Sequence, residues 1–180
     1  LSLMLNGNAQ EKAIILKNVN VVDVVQGNIR KGQDIVIKKG IIQAIGKNIG
    51  ERVSGEARDL TGMYVMPGLI DAHVHIANDP KESRESRAKH LEYFLRHGIT
   101  SIRDAAGDAR VLQELKEGVQ QGKYLGPDIY YAAFMAGPAY FEGNDREKSM
   151  VEGWSEPYAP WMQCIRPDSD LDKAMEDVKA

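Results

Sequence analysis

The sequence predicts an α/β protein in which a small β-rich unit precedes a parallel sheet with crossover helices. Two observations carry this. Up to about residue 65 the chain runs in β-branched apolar stretches broken by glycine turns. After Gly68 it alternates short strand-like segments with segments of helical periodicity, most of them closed by glycine. Repeated strand–helix units imply parallel strands, because each crossover returns the chain in the same direction.

The elements follow in order. "AIILKNVNVVDVV" from Ala13 is a strand, broken at Gln26-Gly27-Asn28. "DIVIKKGIIQAIG" is a hairpin: Ile35 and Ile37 lead out, Lys39-Gly40 turns, and Ile41, Ile42 and Ile45 return. "ARDLTGMYVMPG" adds a strand piece around a Gly62 turn. Such a unit has edges to cover and little core of its own. "LIDAHVHI" is the next strand, then "KESRESRAKHLEYFLRHG" is a helix with Ala88, Leu91, Phe94 and Leu95 on one face and Gly98 at C′. "ITSIRD" is a strand, and "DARVLQELKEGVQQG" is a helix carrying Val111, Leu112, Leu115 and Val119 and stopped by Gly122. "PDIYYAAF" is a third strand of this series. A long irregular stretch from Met135 to about Pro167 precedes a last helix, which Ser169 or Asp170 can cap and which carries Leu171, Ala174, Met175 and Val178. That helix reaches Ala180 with no stop signal and no strand after it, so the chain is expected to be the N-terminal part of a larger fold.

The bulk numbers exclude several classes. The 180 residues are 43% hydrophobic and 27% charged, ordinary for a globular chain. A net charge of -3 gives no basic footprint for nucleic acid or an anionic membrane. No apolar run approaches the roughly 18 residues of a transmembrane helix. The single cysteine, Cys164, cannot form an internal disulfide or a thiolate zinc cluster, and reads as a small buried hydrophobe. "LSLMLNGNAQ" is expected to be a disordered stub, the remnant of a signal peptide or of a tag, which leaves a cytoplasmic and an exported protein both open.

The chemistry sits in "VMPGLIDAHVHI", residues 65–76. In a strand, alternate side chains share a face, so Asp71, His73 and His75 are expected on one side. Ala72, Val74 and Ile76 are expected on the other, under helices. Two histidines at i and i+2 bring two imidazoles close enough for one divalent cation, and Asp71 could accept a ring N–H or approach the metal itself. The alternative is a pair of core histidines satisfied by backbone. His90 and His97 fall on the following helix and are expected toward solvent or its C-terminal carbonyls.

With its setting, this motif resembles the start of a metal-dependent amidohydrolase of the TIM-barrel superfamily. "HGITSIRDAAG" and "YLGPDIYYAAFMAGP" are similar to the second and third strands of the imidazolonepropionase and prolidase-like branch. The loop "AGPAYFEGNDRE" departs from that branch in having no histidine. The resemblance implies the N-terminal part of a (β/α)₈ TIM barrel preceded by strands of a small composite β-sandwich. The expected division is residues 1–10 as the stub, 11–65 as the sandwich portion and 66–180 as the first βα units. It implies that His73 and His75 bind a divalent metal, usually zinc in the family. It implies hydrolysis of an amide C–N bond in a peptide-like or cyclic amide substrate, with deamination as the alternative within the superfamily. The catalytic base is unknown, because the family's further ligands and its proton-shuttling aspartate lie beyond these strands. The expected partners are a small-molecule substrate, a complementary C-terminal barrel half or remainder, and further copies of the chain. A fragment or split-enzyme subunit without activity of its own is the competing expectation.

Three further features carry expectations of their own. Asp104 ends its strand, where barrel enzymes place active sites; it is a candidate for orienting a ligand or capping "AAGDARV", with Arg103 pointing the other way. Tyr140, Phe141, Trp154, Tyr158 and Trp161 are expected in a loop at the barrel mouth, either lining a pocket or packing on the rim. "KESRESRAK" reads as a solvated charge run.

Overall fold

A computed structural model describes residues 12–79, 81–142 and 162–177. The chain divides into two compact units, residues 1–67 and 68–180. Among the described residues no helix is long and apolar enough to cross a membrane.

The first unit is one mixed sheet. Strands β1 (Ala13–Asp23), β2 (Asn28–Lys38) and β3 (Ile41–Gly46) pair antiparallel in the order β3-β2-β1. The hairpin between β2 and β3 turns at Lys39 and Gly40, both with positive φ, the twist that matches paired strands. On the far edge of β1 run two parallel strands in succession, β4 (Gly55–Asp59) and β5 (Tyr64–Val65). Ala13, Ile15 and Val36 form the core, with Ile49 and Val53 packed against it. Asp34 is buried among them, and its two oxygens accept the backbone N–H groups of Asn18 (3.2 Å) and Gly50 (2.9 Å). That core is small, and Ile14, Ile29, Ile41, Ile42 and Tyr64 remain exposed.

The second unit is built on a three-stranded sheet in the order β6-β7-β8: β6 (Leu69–Val74), β7 (Ile99–Asp104) and β8 (Asp128–Tyr131). All its pairings are parallel, as the strand–helix alternation requires. Helix α1 (Arg84–Arg96) links β6 to β7, and α2 (Ala109–Gln120) links β7 to β8. Both begin on side-chain caps. Ser83 Oγ accepts Ser86 N–H at 3.1 Å, and Asp108 Oδ1 accepts Arg110 N–H at 3.0 Å. Both end at glycines of positive φ, Gly98 and Gly122, a conformation a side chain would disfavour. Val74, Ile76, Leu91, Ile102, Leu112, Leu115 and Ile129 form the core between sheet and helices. Each of the buried leucines contributes about 2 kcal/mol.

Three expectations change here. The strand foreseen over residues 127–134 is two: after β8 the chain breaks at Ala132 and Ala133 and resumes as β9 (Phe134–Ala136). The stretch foreseen as irregular holds a short helix, α3 (Pro138–Glu142), and β10 (Met162–Cys164), which pairs in parallel with β9. The charge run "KESRESRAK" is not all solvated. Arg87 is 5% exposed because it falls one turn before Leu91 on the core-facing side of α1. Its guanidinium donates to the carbonyl of Asp79 and lies 3.8 Å from Glu82 Oε2, and its Nε–H is buried without a hydrogen-bond acceptor among the described residues. The last helix, α4 (Leu171–Asp177), is capped by Asp170, whose Oδ1 accepts Lys173 N–H at 3.0 Å.

Candidate metal centre

The proposed ligands stand at the C-terminal end of β6. His73 and His75 are both exposed, with ring centroids 5.0 Å apart at an interplanar angle of 74°. Their Nε2 atoms approach to 3.2 Å. Two nitrogens bound to one tetrahedral zinc, at bond lengths of about 2.0–2.1 Å, lie about 3.3 Å apart. In a neutral imidazole one ring nitrogen carries the proton and the other is free to bind a metal. The donor pair therefore fits two adjacent positions around a small divalent cation. Among the described residues no third His, Cys, Asp or Glu completes the set.

The local backbone departs from a uniform strand. Asp71 lies opposite Ile102, and Val74 opposite Asp104, so β6 carries one residue more than β7 between these pairs. This bulge separates Asp71 from the alternation, which still holds for exposed His73 and His75 against buried Val74 and Ile76. Asp71 does not act on an imidazole ring. Its Oδ1 accepts the backbone N–H of His73 at 3.2 Å, an Asx-type contact that relieves the unpaired backbone of the bulge. Ala72 stays exposed, while Val74 and Ile76 are buried as foreseen. The strand ends at Val74, one residue before His75.

Asp104 and Arg103 lie on opposite faces of β7. Asp104 has no exposed surface and shares its face of β7 with Ile102, at i−2, beneath the start of α2. Oδ2 accepts Ile76 N–H at 2.6 Å and Oδ1 accepts Ala106 N–H at 3.0 Å. It is therefore in part the local cap foreseen and in part a cross-strand tie. Arg103, exposed on the other face, reaches the carbonyl of Ala72 at 3.3 Å.

The remaining histidines lie on α1 or its cap. His90 Nδ1 is 3.2 Å from Glu82 Oε1, and His97 Nδ1 is 2.8 Å from the carbonyl of Tyr93. A groove of about 260 Å³ beside the site is lined by Val74, His75, Ile76, His90, Tyr93 and Phe94. Of the loop aromatics, Tyr140 packs with its ring centroid 5.0 Å from Phe134. Trp154, Tyr158, Trp161 and the side chain of Phe141 lie outside the described residues.

The model of the Amidohydrolase family matches residues 64–177, a span that holds both histidines and the whole parallel sheet. This chain belongs to that family. Among curated amidohydrolase relatives, the dihydroorotase of Trichlorobacter lovleyi is 34% identical over 89 residues, covering 49% of this chain and 21% of that protein. The adenine deaminase of Thermosipho africanus is 33% identical over 129 residues, covering 70% of this chain and 21% of that protein. The chain thus spans about a fifth of the length of these two relatives. A Xaa-Pro dipeptidase solved with methionine in its active site shares the fold, with a TM-score of 0.69 at 21% identity over 93% of this chain and 44% of that one. The fold of this amidohydrolase is accordingly α/β, with the first βα units of a TIM barrel after a small β unit. Divalent metals are the general cofactors of such enzymes.

Proposed function

We propose that His73 and His75 are the first two ligands of a divalent metal, zinc being the metal that suits them best, in an enzyme that hydrolyses an amide C–N bond. The observation that carries this reading is the 3.2 Å approach of the two Nε2 atoms at the C-terminal end of a parallel strand. Active sites of βα barrels are built at that end. A divalent cation held there by His73 and His75 would supply activation of water near neutral pH and polarisation of a carbonyl oxygen. The chain's own residues hold and orient. His73 and His75 present two ring nitrogens, and Asp71 fixes the backbone N–H of His73. The proton shuttle and the remaining ligands come from residues beyond these strands, in the same chain or a complementary barrel half.

Peptide-like or cyclic amides are the substrates this reading favours. Deamination is the second reading, favoured by the adenine deaminase relative, whose match covers 70% of this chain. The deciding experiment replaces His73 with alanine in the full-length protein. Bound metal and turnover are expected to disappear together, and retention of both overturns the ligand assignment. A verified 180-residue preparation is expected to show no turnover of its own, since a catalytic zinc ordinarily takes three protein ligands.

A further inference from the structure

The carboxylate buried most deeply near the two histidines touches neither ring. Asp104 has no exposed surface, and among the described residues it forms no ion pair. A buried polar side chain is costly unless it is hydrogen-bonded, and among the described residues the Asp104 side chain accepts from two backbone N–H groups. One donor, Ala106, is local, two residues on. The other, Ile76, is 28 residues back in the chain and directly follows His75.

The backbone around His75 shows what this contact does. The ladder of β6 ends at Val74, whose carbonyl accepts Ala105 N–H at 3.1 Å. The next main-chain tie is at Ala77, whose carbonyl accepts Asp108 N–H at 3.0 Å. His75 stands between these points on a segment outside the strand. The 2.6 Å bond from Ile76 N–H to Asp104 is the tie that fixes the peptide next to it. We infer that Asp104 is a positioning residue for the metal site: through the backbone of Ile76 it sets where His75 stands, and so preforms the pairing with His73 before metal arrives. This rests on the reading of His73 and His75 as ligands.

The test uses the full-length protein, stripped of metal and titrated with Co²⁺. Asp104→Asn keeps size and removes one acceptor. It is expected to weaken Co²⁺ binding about tenfold or more, the usual cost of losing an outer contact, and to change the visible absorption of bound Co²⁺. A purely structural Asp104 would lower the melting temperature while leaving affinity and spectrum of the folded protein as in wild type, and that result overturns the inference. A second measurement needs no variant. In metal-free wild type the Ile76 amide is expected to exchange slowly with solvent, as in the loaded protein. Exchange at the rate of an unstructured chain until metal is added overturns preformation, even where the asparagine variant does not fold. His73→Ala separates the two readings. If it keeps wild-type Co²⁺ affinity and spectrum, the ligand assignment fails. If it loses Co²⁺ while Asp104→Asn keeps wild-type binding, only the role of Asp104 fails.

Discussion

Replacing Gly68 with alanine is expected to prise open the start of the strand that carries the histidines. A Cβ at Gly68 would lie 2.0 Å from Thr100 Oγ1, 2.3 Å from its Cγ2 and 2.6 Å from its Cβ. No rotamer of Thr100 relieves this, because the Cβ contact is itself too short and Cβ is fixed to the backbone. The two strands must separate at their beginning, where Leu69 N–H donates to Gly98 O at 2.9 Å. Overpacking of this kind costs about 1–3 kcal/mol, and the strained hydrogen bond adds about 1 kcal/mol. Together these destabilise the fold by about 2–4 kcal/mol. Urea unfolding of wild type, Gly68→Ala, Thr100→Gly and the double variant measures the loss and its origin. Thr100→Gly alone should cost about 0.5–1 kcal/mol, as glycine does within a strand. In the Gly68→Ala background it should instead restore stability, because it removes all three clashing atoms. A loss below about 0.5 kcal/mol in the single variant, or additive behaviour in the double one, refutes the reasoning. Glycine at position 68 is thus a requirement of close approach between the strands.

Two further outcomes follow from the same contacts. Asp108→Ala should cost about 1 kcal/mol at neutral pH through loss of the helix cap. Burial pushes the Asp108 carboxyl up, but hydrogen bonds and charge from Arg110 outweigh it and hold the folded pKa below the usual carboxylate value. A depressed folded pKa means stabilisation that is complete above the unfolded value of about 3.9 and is lost as pH falls through the folded one. The stability gap between wild type and Asp108→Ala should therefore be flat near neutrality and shrink below about pH 4; a gap that widens on acidification contradicts the assignment. Arg87→Leu should destabilise by about 2 kcal/mol, because the loop after Ile76 loses its tie at the Asp79 carbonyl and Glu82 loses its buried partner. Unchanged thermal stability would show that this tie carries no weight.

The amino-acid sequence by itself determined the features written within a few residues of one another. Gly98 and Gly122 end their helices and Asp170 caps the last one, because a cap needs only a residue that suits the local backbone or an amide two or three positions away. The Lys39-Gly40 hairpin and the βα alternation are local in the same sense. The spacing of His73 and His75 pointed to a metal pair, and the convergence of their Nε2 atoms is compatible with it. Tertiary structure decided the rest. The extra residue in β6 exists only against the register of β7, so strict alternation could not place Asp71. Arg87 reads as one charge among many until the core forms over one face of its helix. Asp104 ends a strand in a position that suggests the active site, yet its partner is the amide of Ile76, 28 residues away. No local rule encodes that bond: a buried carboxylate takes whatever donors the fold brings to it, and which ones those are is settled only when β6 and β7 lie side by side.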